Sequence, residues 1–248
     1  MNYENWLSKC MHWKNKWKLY LSEFENDIDG INLYTVVESL NLHSKENDVF
    51  IIDAGNSNYI ACQNIKLKEN QRFINPGSQG DMGFAIPASV GVGLVDNKYN
   101  PIVIVGDGSF NTNLQELAAI KQNKIKSKIF ILNNDGYLSI RTTQKKLYNQ
   151  VYGVSSKTGI FFPNIKKIAN AYDLKYIYVD TNESLFQNVS EFLHSNESII
   201  FEIKCKYEQE IIPYVSLKVD SQGNKIQCGL EDMYPFLNQE EIDSEMLI

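Results

Sequence analysis

The sequence predicts an α/β protein: a parallel sheet with helices on both faces. Apolar runs at Val49–Ile52, Ile102–Val105, Ile129–Leu132, Tyr176–Val179 and Ile199–Ile203 alternate with segments of helical character. The runs are apolar throughout rather than at every second residue, which is the pattern of strands covered on both sides. Three polar signatures follow strands directly: Asp53-Ala54-Gly55-Asn56-Ser57, Gly106-Asp107-Gly108-Ser109 and Asn133-Asn134-Asp135-Gly136. In open sheets of this kind ligands gather at the carboxyl ends of the strands, near a topological switch point.

The elements follow in order. Residues 1–28 are aromatic and basic, then acidic. Trp6, Trp13, Trp17 and Tyr20 recur at roughly helical spacing, so the segment reads as an amphipathic helical extension that packs on the main domain or docks a partner. Gly30 marks a break. Residues 29–215 form the α/β domain. Leu33–Leu40 opens it as a helix, and Val49–Ile52 is the first strand. Gly80–Val95 is a run of small residues with Pro87 in the first turn of a helix. Asn113–Gln122 is a helix between the next two strands. Ile165–Tyr172 and Leu185–Leu193 are helices flanking the last two. Residues 216–248 are polar and irregular, a tail that wraps the domain or a neighbour.

Composition bounds the function. The chain has 248 residues, 43% hydrophobic and 22% charged, with a formal net charge of −6. That balance is globular, and its sign excludes the chain as a whole from binding nucleic acid or an anionic membrane surface. No apolar run approaches the ~20 residues that span a bilayer, and the first residues lack the apolar centre of a secretory leader. The expectation is a cytoplasmic protein. Cys10, Cys62, Cys205 and Cys228 include no CxxC pair, which argues against zinc and for reduced thiols. His12, His43 and His194 are far apart in the chain and form no triad pattern.

The signatures carry chemistry. In Gly106-Asp107-Gly108-Ser109 the glycines permit a tight turn and close backbone approach. Asp107 offers a hard anionic oxygen, and Ser109 with nearby amides can donate to a phosphate. Asn134 lies 27 positions later, one helix and one strand on, which returns the chain to the same sheet edge. Asn134 then supplies a neutral oxygen and Gly136 a carbonyl. Three protein oxygens leave room for two diphosphate oxygens and a water around an octahedral Mg²⁺. The pattern is neither GxGxxG nor GxxxxGK[ST].

These residues resemble the diphosphate-binding domain of thiamine-diphosphate-dependent enzymes. Within them they look most like the C-terminal third of acetolactate synthase and related 2-oxoacid decarboxylases. The resemblance runs from about Trp6 to Glu231-Asp232-Met233-Tyr234-Pro235. It implies a single diphosphate-type domain of the thiamine-diphosphate-binding fold. Asp107, Asn134 and the Gly136 carbonyl would bind Mg²⁺, and Gly108, Ser109, Asn56 and Ser57 would contact the diphosphate. In Gly80-Asp81-Met82-Gly83-Phe84, the Gly80 carbonyl would accept from the cofactor's 4′-amino group and Met82 would wedge the cofactor into a bent shape. The implied activity is decarboxylation of a 2-oxoacid, ending in an aldehyde or in addition to a second carbonyl.

The resemblance also implies what must come from elsewhere. The family's activating glutamate belongs to a pyrimidine-binding domain that these residues do not contain. No catalytic residue is therefore assigned here; a separate pyrimidine-domain chain is expected as partner, together with self-association. The Arg141-Thr142-Thr143-Gln144 run has Thr143 where acetolactate synthases commonly carry tryptophan. That departure opens the acceptor specificity, with Arg141 either binding a substrate carboxylate or phosphate or lying solvated on the surface. Competing readings are a catalytically inactive, cofactor-binding regulatory or scaffold subunit or a fragment, and the β subunit of a 2-oxoacid:ferredoxin oxidoreductase. Scattered cysteines oppose the latter.

Overall fold

The computed structural model describes residues 3–219 and 222–246, and the chain divides into two compact units, Met1–Gln209 and Glu210–Ile248. The first unit is built on a six-stranded, wholly parallel sheet of strand order β2-β1-β3-β4-β6-β5. Its strands are β1 (Asp48–Ile52), β2 (Arg72–Ile74), β3 (Asn100–Gly106), β4 (Lys128–Asn133), β5 (Lys175–Val179) and β6 (Ile199–Lys204). The helices are α1 (Tyr3–Lys16), α2 (Leu33–His43), α3 (Asn56–Asn64), α4 (Ala85–Val95), α5 (Asp107–Phe110), α6 (Leu117–Gln122), α7 (Leu138–Tyr148), α8 (Ile165–Ala171) and α9 (Asn182–Phe192).

Strands β1, β3, β4 and β6 are the apolar runs of the sequence, and they form the middle of the sheet. Val49, Ile51, Val103, Val105, Ile129, Ile131 and Ile200 face one core with Ile86, Leu117, Ile120 and Ile165. The alternate residues, among them Phe50, Ile52, Ile104, Phe130 and Phe201, are equally buried. Phe130 and Phe201 stand in register on neighbouring strands with rings stacked at 4.5 Å. Helix α2 packs on α3 and α9 and brings Leu33, Val36, Val37 and Leu40 into the interior. Each fully buried aliphatic side chain contributes roughly 1.5–3 kcal/mol, so this double-sided burial fixes the sheet and the aim of its loops.

The connection from β1 runs outward to β2, and the chain then crosses to β3 on the other side of β1. The strand order therefore reverses between β1 and β3, and the crevice at their carboxyl ends is the switch point. Gly106 of β3 pairs with Leu132 of β4, which brings the loop at Asp107 beside the loop at Asn134.

Several elements differ from expectation. The edge strand β2 and helices α3 and α7 carry too few buried apolar residues to announce themselves. The expected helix Asn113–Gln122 is a 3-10 turn, Leu114–Glu116, followed by α6. Helix α1 forms, but none of its residues is buried, and Trp6 and Trp13 pack edge-to-face on each other at 5.7 Å. The second unit is less irregular than its composition suggests. It holds an antiparallel pair, β7 (Leu217–Val219) with β8 (Lys225–Gln227), and helix α10 (Gln239–Met246). Strands of three residues are too short to leave a sequence pattern.

Candidate cofactor site

The site begins with a carboxylate buried at the end of β1. Asp53 Oδ1 accepts the amides of Ala54 at 2.9 Å and Gly83 at 3.0 Å, and Oδ2 accepts that of Ala85 at 2.9 Å. The 80–85 loop is thus tied to the sheet by a charged acceptor. Asn113 ties it a second time, donating to the Gly83 carbonyl at 2.9 Å. Between these ties Met82 remains 46% exposed, so it is not a core residue.

Asp107 opens α5 at the end of β3 and is 4% exposed. Its Oδ1 accepts the Gly108 amide and its Oδ2 the Gly136 amide, both at 2.8 Å. Burial pushes its carboxyl up to about 7, against the lowering effect of those two amides; Asp135 adds to the rise and Arg141 opposes it. A carboxylate so held is short of positive charge.

The two asparagines at the end of β4, Asn133 within it and Asn134 just after it, have different tasks. Asn133 spends its side chain on structure: Nδ2 donates to Glu202 at 2.7 Å, and Oδ1 accepts the Asp135 amide at 3.2 Å. Asn134 is buried, and its Oδ1 has no hydrogen-bond partner. A buried unpartnered amide oxygen costs about 1–3 kcal/mol, and a cation would satisfy it. The Gly136 carbonyl accepts the Leu138 amide at 3.1 Å and retains its second lone pair.

Gly108 and Gly136 are required sterically. A Cβ on Gly108 would lie 2.3 Å from the Tyr137 ring. Gly136 has φ +119°, and a Cβ there would lie 2.1 Å from the Val154 carbonyl oxygen.

A cleft of about 280 Å³ is lined by Asn56, Ser57, Gly80, Met82, Gly108, Ser109, Asn134 and Gly136, with Tyr59, Tyr137 and Ser139 among its further walls. Eight of the nine residues singled out in the sequence therefore meet at one cleft. The ninth, Asp107, lines the adjoining groove of about 1020 Å³ with Asn133, Asp135 and Glu202, while its carboxylate is bonded to Gly108 and Gly136 of the cleft wall. The Ser57 hydroxyl is committed to the Ala54 carbonyl at 2.8 Å. What Ser57 and Asn56 offer an anion is the first-turn amides of α3, which have no intrahelical acceptor. Asn56 Oδ1 accepts from the Ser139 hydroxyl at 2.6 Å, which fixes the amide so that its NH₂ remains a donor.

The donor set suits a Mg²⁺–diphosphate pair. Among the described residues no group of three or more His, Cys, Asp or Glu side chains could hold a metal. One carboxylate with neutral oxygens leaves most of a divalent cation's charge to be met by the ligand's own anions. The orphaned Asn134 oxygen and the under-neutralised Asp107 fit that arrangement.

Comparison with known proteins agrees with this geometry. Residues 53–203 match the family described as thiamine pyrophosphate enzyme, C-terminal TPP binding domain. The chain belongs to that family. It is 28% identical over 213 residues to the acetolactate synthase large subunit of Buchnera aphidicola subsp. Schlechtendalia chinensis, covering 85% of this chain and 36% of that one. It is 25% identical over 219 residues to that of Lactococcus lactis, covering 86% and 36%. Its fold is similar to the thiamine diphosphate-dependent 4-hydroxybenzoylformate decarboxylase of Rhodococcus jostii RHA1, at a TM-score of 0.65 and 23% identity over 77% of this chain and 36% of that one. The chain thus spans about a third of the length of these relatives.

Some residues of the site were not singled out in the sequence. In sequence Asp53 reads as part of a turn, because the amides that donate to it lie some thirty residues downstream. Ser139 and Tyr137 belong to the unrecognised start of α7. Arg141 was assigned either to substrate or to solvent, and the structure gives neither: it is 0% exposed and bonded to backbone. No helix among the described residues is long and apolar enough to cross a membrane, and all four cysteines are free thiols.

Proposed function

We propose that this chain is the thiamine-diphosphate- and Mg²⁺-binding subunit of an acetolactate-synthase-like 2-oxoacid decarboxylase or carboligase. The observation that carries the reading is the orphaned Asn134 Oδ1, in the same loop as the Gly136 amide that the buried Asp107 carboxylate accepts. Asp107, Asn134 and the Gly136 carbonyl hold Mg²⁺. Gly108, Ser109 and the α3 amides at Asn56 and Ser57 bind the diphosphate. The Gly80 carbonyl accepts from the cofactor's amino group, and Met82 supports its bend. When bound, thiamine diphosphate supplies the electron sink that lets a 2-oxoacid lose CO₂.

The activating glutamate comes from a pyrimidine-binding domain on a separate chain. In support, the cleft's volume of about 280 Å³ falls just below that of ligand sites, which run ~300–1,000 Å³, as for one half of a shared site. Self-association of such pairs and a cytoplasmic location belong to the same reading; free cysteines favour the latter.

The test is to purify the chain with a pyrimidine-domain partner, load it with thiamine diphosphate and Mg²⁺, and assay CO₂ from a panel of 2-oxoacids. Release of CO₂ is expected. Cofactor uptake without CO₂ from any acid would leave a binding subunit and remove the enzyme; no uptake would remove the cofactor assignment.

A further inference from the structure

A fully buried guanidinium must find acceptors for its fixed fork of N–H groups, because leaving a buried charge unanswered is costly. The acceptors of Arg141 are unusual in being main-chain. Nη1 donates to the Asp135 carbonyl at 3.2 Å and Nη2 to the Asn134 carbonyl at 3.1 Å. Nη2 also donates to the Tyr207 carbonyl. The guanidinium lies 3.7 Å over the Tyr207 ring, and Nε is 3.6 Å from Glu208.

We propose that Arg141 is the positioning residue of the metal loop. Its planar fork takes the carbonyls of two successive loop residues, which leaves the Asn134 side-chain oxygen and the second lone pair of the Gly136 carbonyl as acceptors for a cation. The loop needs such a tie, since Asp135 and Gly136 have successive positive φ values of 58° and 119°. Asp135 contributes its own, accepting the Ser156 amide at 3.1 Å and hydroxyl at 2.8 Å. Arg141 adds what those bonds lack, a link to the segment after β6. Lysine could carry the charge but not the fork: its ammonium is a compact point donor that does not stack on a ring as guanidinium does.

The inference rests on the metal-site reading above, and one titration separates the two. Mg²⁺ is titrated calorimetrically into the full chain premixed with thiamine diphosphate, for wild type, Arg141→Lys and Leu185→Ala. Leu185 is buried on α9, so that variant is destabilised away from the loop. Arg141→Lys is expected to weaken Mg²⁺ by about 10- to 100-fold, the effect of losing a partner that orients a ligand. Leu185→Ala is expected to bind as wild type does. Unchanged Mg²⁺ affinity in Arg141→Lys overturns the inference alone, as does equal weakening in Leu185→Ala. A wild type that takes up no Mg²⁺ removes the site and the inference together. If Arg141→Lys does not fold, Tyr207→Leu removes the ring under the guanidinium while keeping the carbonyl. It should shift Mg²⁺ affinity in the same direction, and no shift is again fatal.

Discussion

The Asp107 carboxylate accepts the Gly136 amide at 2.8 Å, so one hydrogen bond fastens the loop after β3 to the loop after β4. Asp107→Ala removes a proposed metal ligand and that fastening together. Mg²⁺-dependent retention of thiamine diphosphate should fall by more than about 100-fold, beyond the ~10–100-fold seen when only an outer partner is lost. Equilibrium dialysis with and without Mg²⁺ measures it. Retention equal to wild type would mean that the cation sits elsewhere.

The proposed metal binding should depend on pH through the same carboxylate. Its pKa rises on folding from an ordinary 3.8 to about 7, chiefly through burial. Between those values the folded chain holds a proton that the unfolded chain has lost. This group therefore favours the metal-free fold most at acidic pH, and the benefit fades by about 1.4 kcal/mol per pH unit as pH rises toward 7. Mg²⁺ must displace the proton. Affinity should fall about tenfold per unit below pH 7 and level off above it. Calorimetry in buffers of different ionisation enthalpy should register about one proton released per Mg²⁺ at pH 6 and almost none at pH 8. Equal release at both would contradict the assignment.

Met82 and Asp53 should separate function from stability in opposite ways. Met82 is exposed at the cleft, so Met82→Ala should change unfolding free energy by less than about 0.5 kcal/mol. A core methionine would cost about 2–5 kcal/mol. Cofactor affinity should nonetheless drop. Asp53→Asn keeps the size but cannot accept from the amides of both Gly83 and Ala85, each now bonded to a separate carboxylate oxygen. It should cost about 1.5–3 kcal/mol, the worth of a bond to a charged group, and expose the 80–85 loop to protease. A urea midpoint at the wild-type value would remove Asp53 as the anchor.

How much of this was legible follows from where the information lies. Strands β1, β3, β4 and β6 are local apolar runs, and the polar residues closing β1, β3 and β4 stand immediately beside them. Strand β2 is an edge strand with no fully buried residue. Helix α3 buries a stripe of Ser57, Ile60, Ala61 and Asn64, of which only two residues are apolar. Helix α7 buries only Leu138 and Arg141, so its inward face has one apolar residue, and the other resembles surface. Asp53 and Arg141 act on backbone groups that only the fold brings to them. No spacing rule names a distant backbone amide or carbonyl as a partner, so their roles are legible in the structure alone.

Gly136→Ala tests the strained end of the metal loop. The substitution puts a Cβ against the Val154 carbonyl, a backbone atom, at a φ that L-residues rarely adopt. The neighbouring backbone cannot yield without losing the Tyr137 N–H bond to that same carbonyl at 2.9 Å. A loss of about 3 kcal/mol is expected, from strain of ~1–3 kcal/mol together with the clash. Differential scanning calorimetry should show a fall of several degrees in Tm; an unchanged Tm would refute the tightness of this turn.

Gly108→Ala differs because its obstacle is a side chain. The new Cβ would meet the Tyr137 ring at 2.3 Å, and Tyr137 also lines the cleft. The ring must swing away or α5 must shift, and either narrows the cleft wall where the diphosphate is proposed to bind. Overpacking of this kind costs about 1–3 kcal/mol. Tyr137→Ala in the same chain removes the obstacle, so the pair should be non-additive by about 0.5–3 kcal/mol, as for residues in contact. Stability and thiamine diphosphate affinity are measured across the four-member cycle, and both should recover in part in the double variant. Strict additivity would mean that the Tyr137 ring is not what Gly108 makes room for, since alanine keeps the backbone N–H that Asp107 accepts.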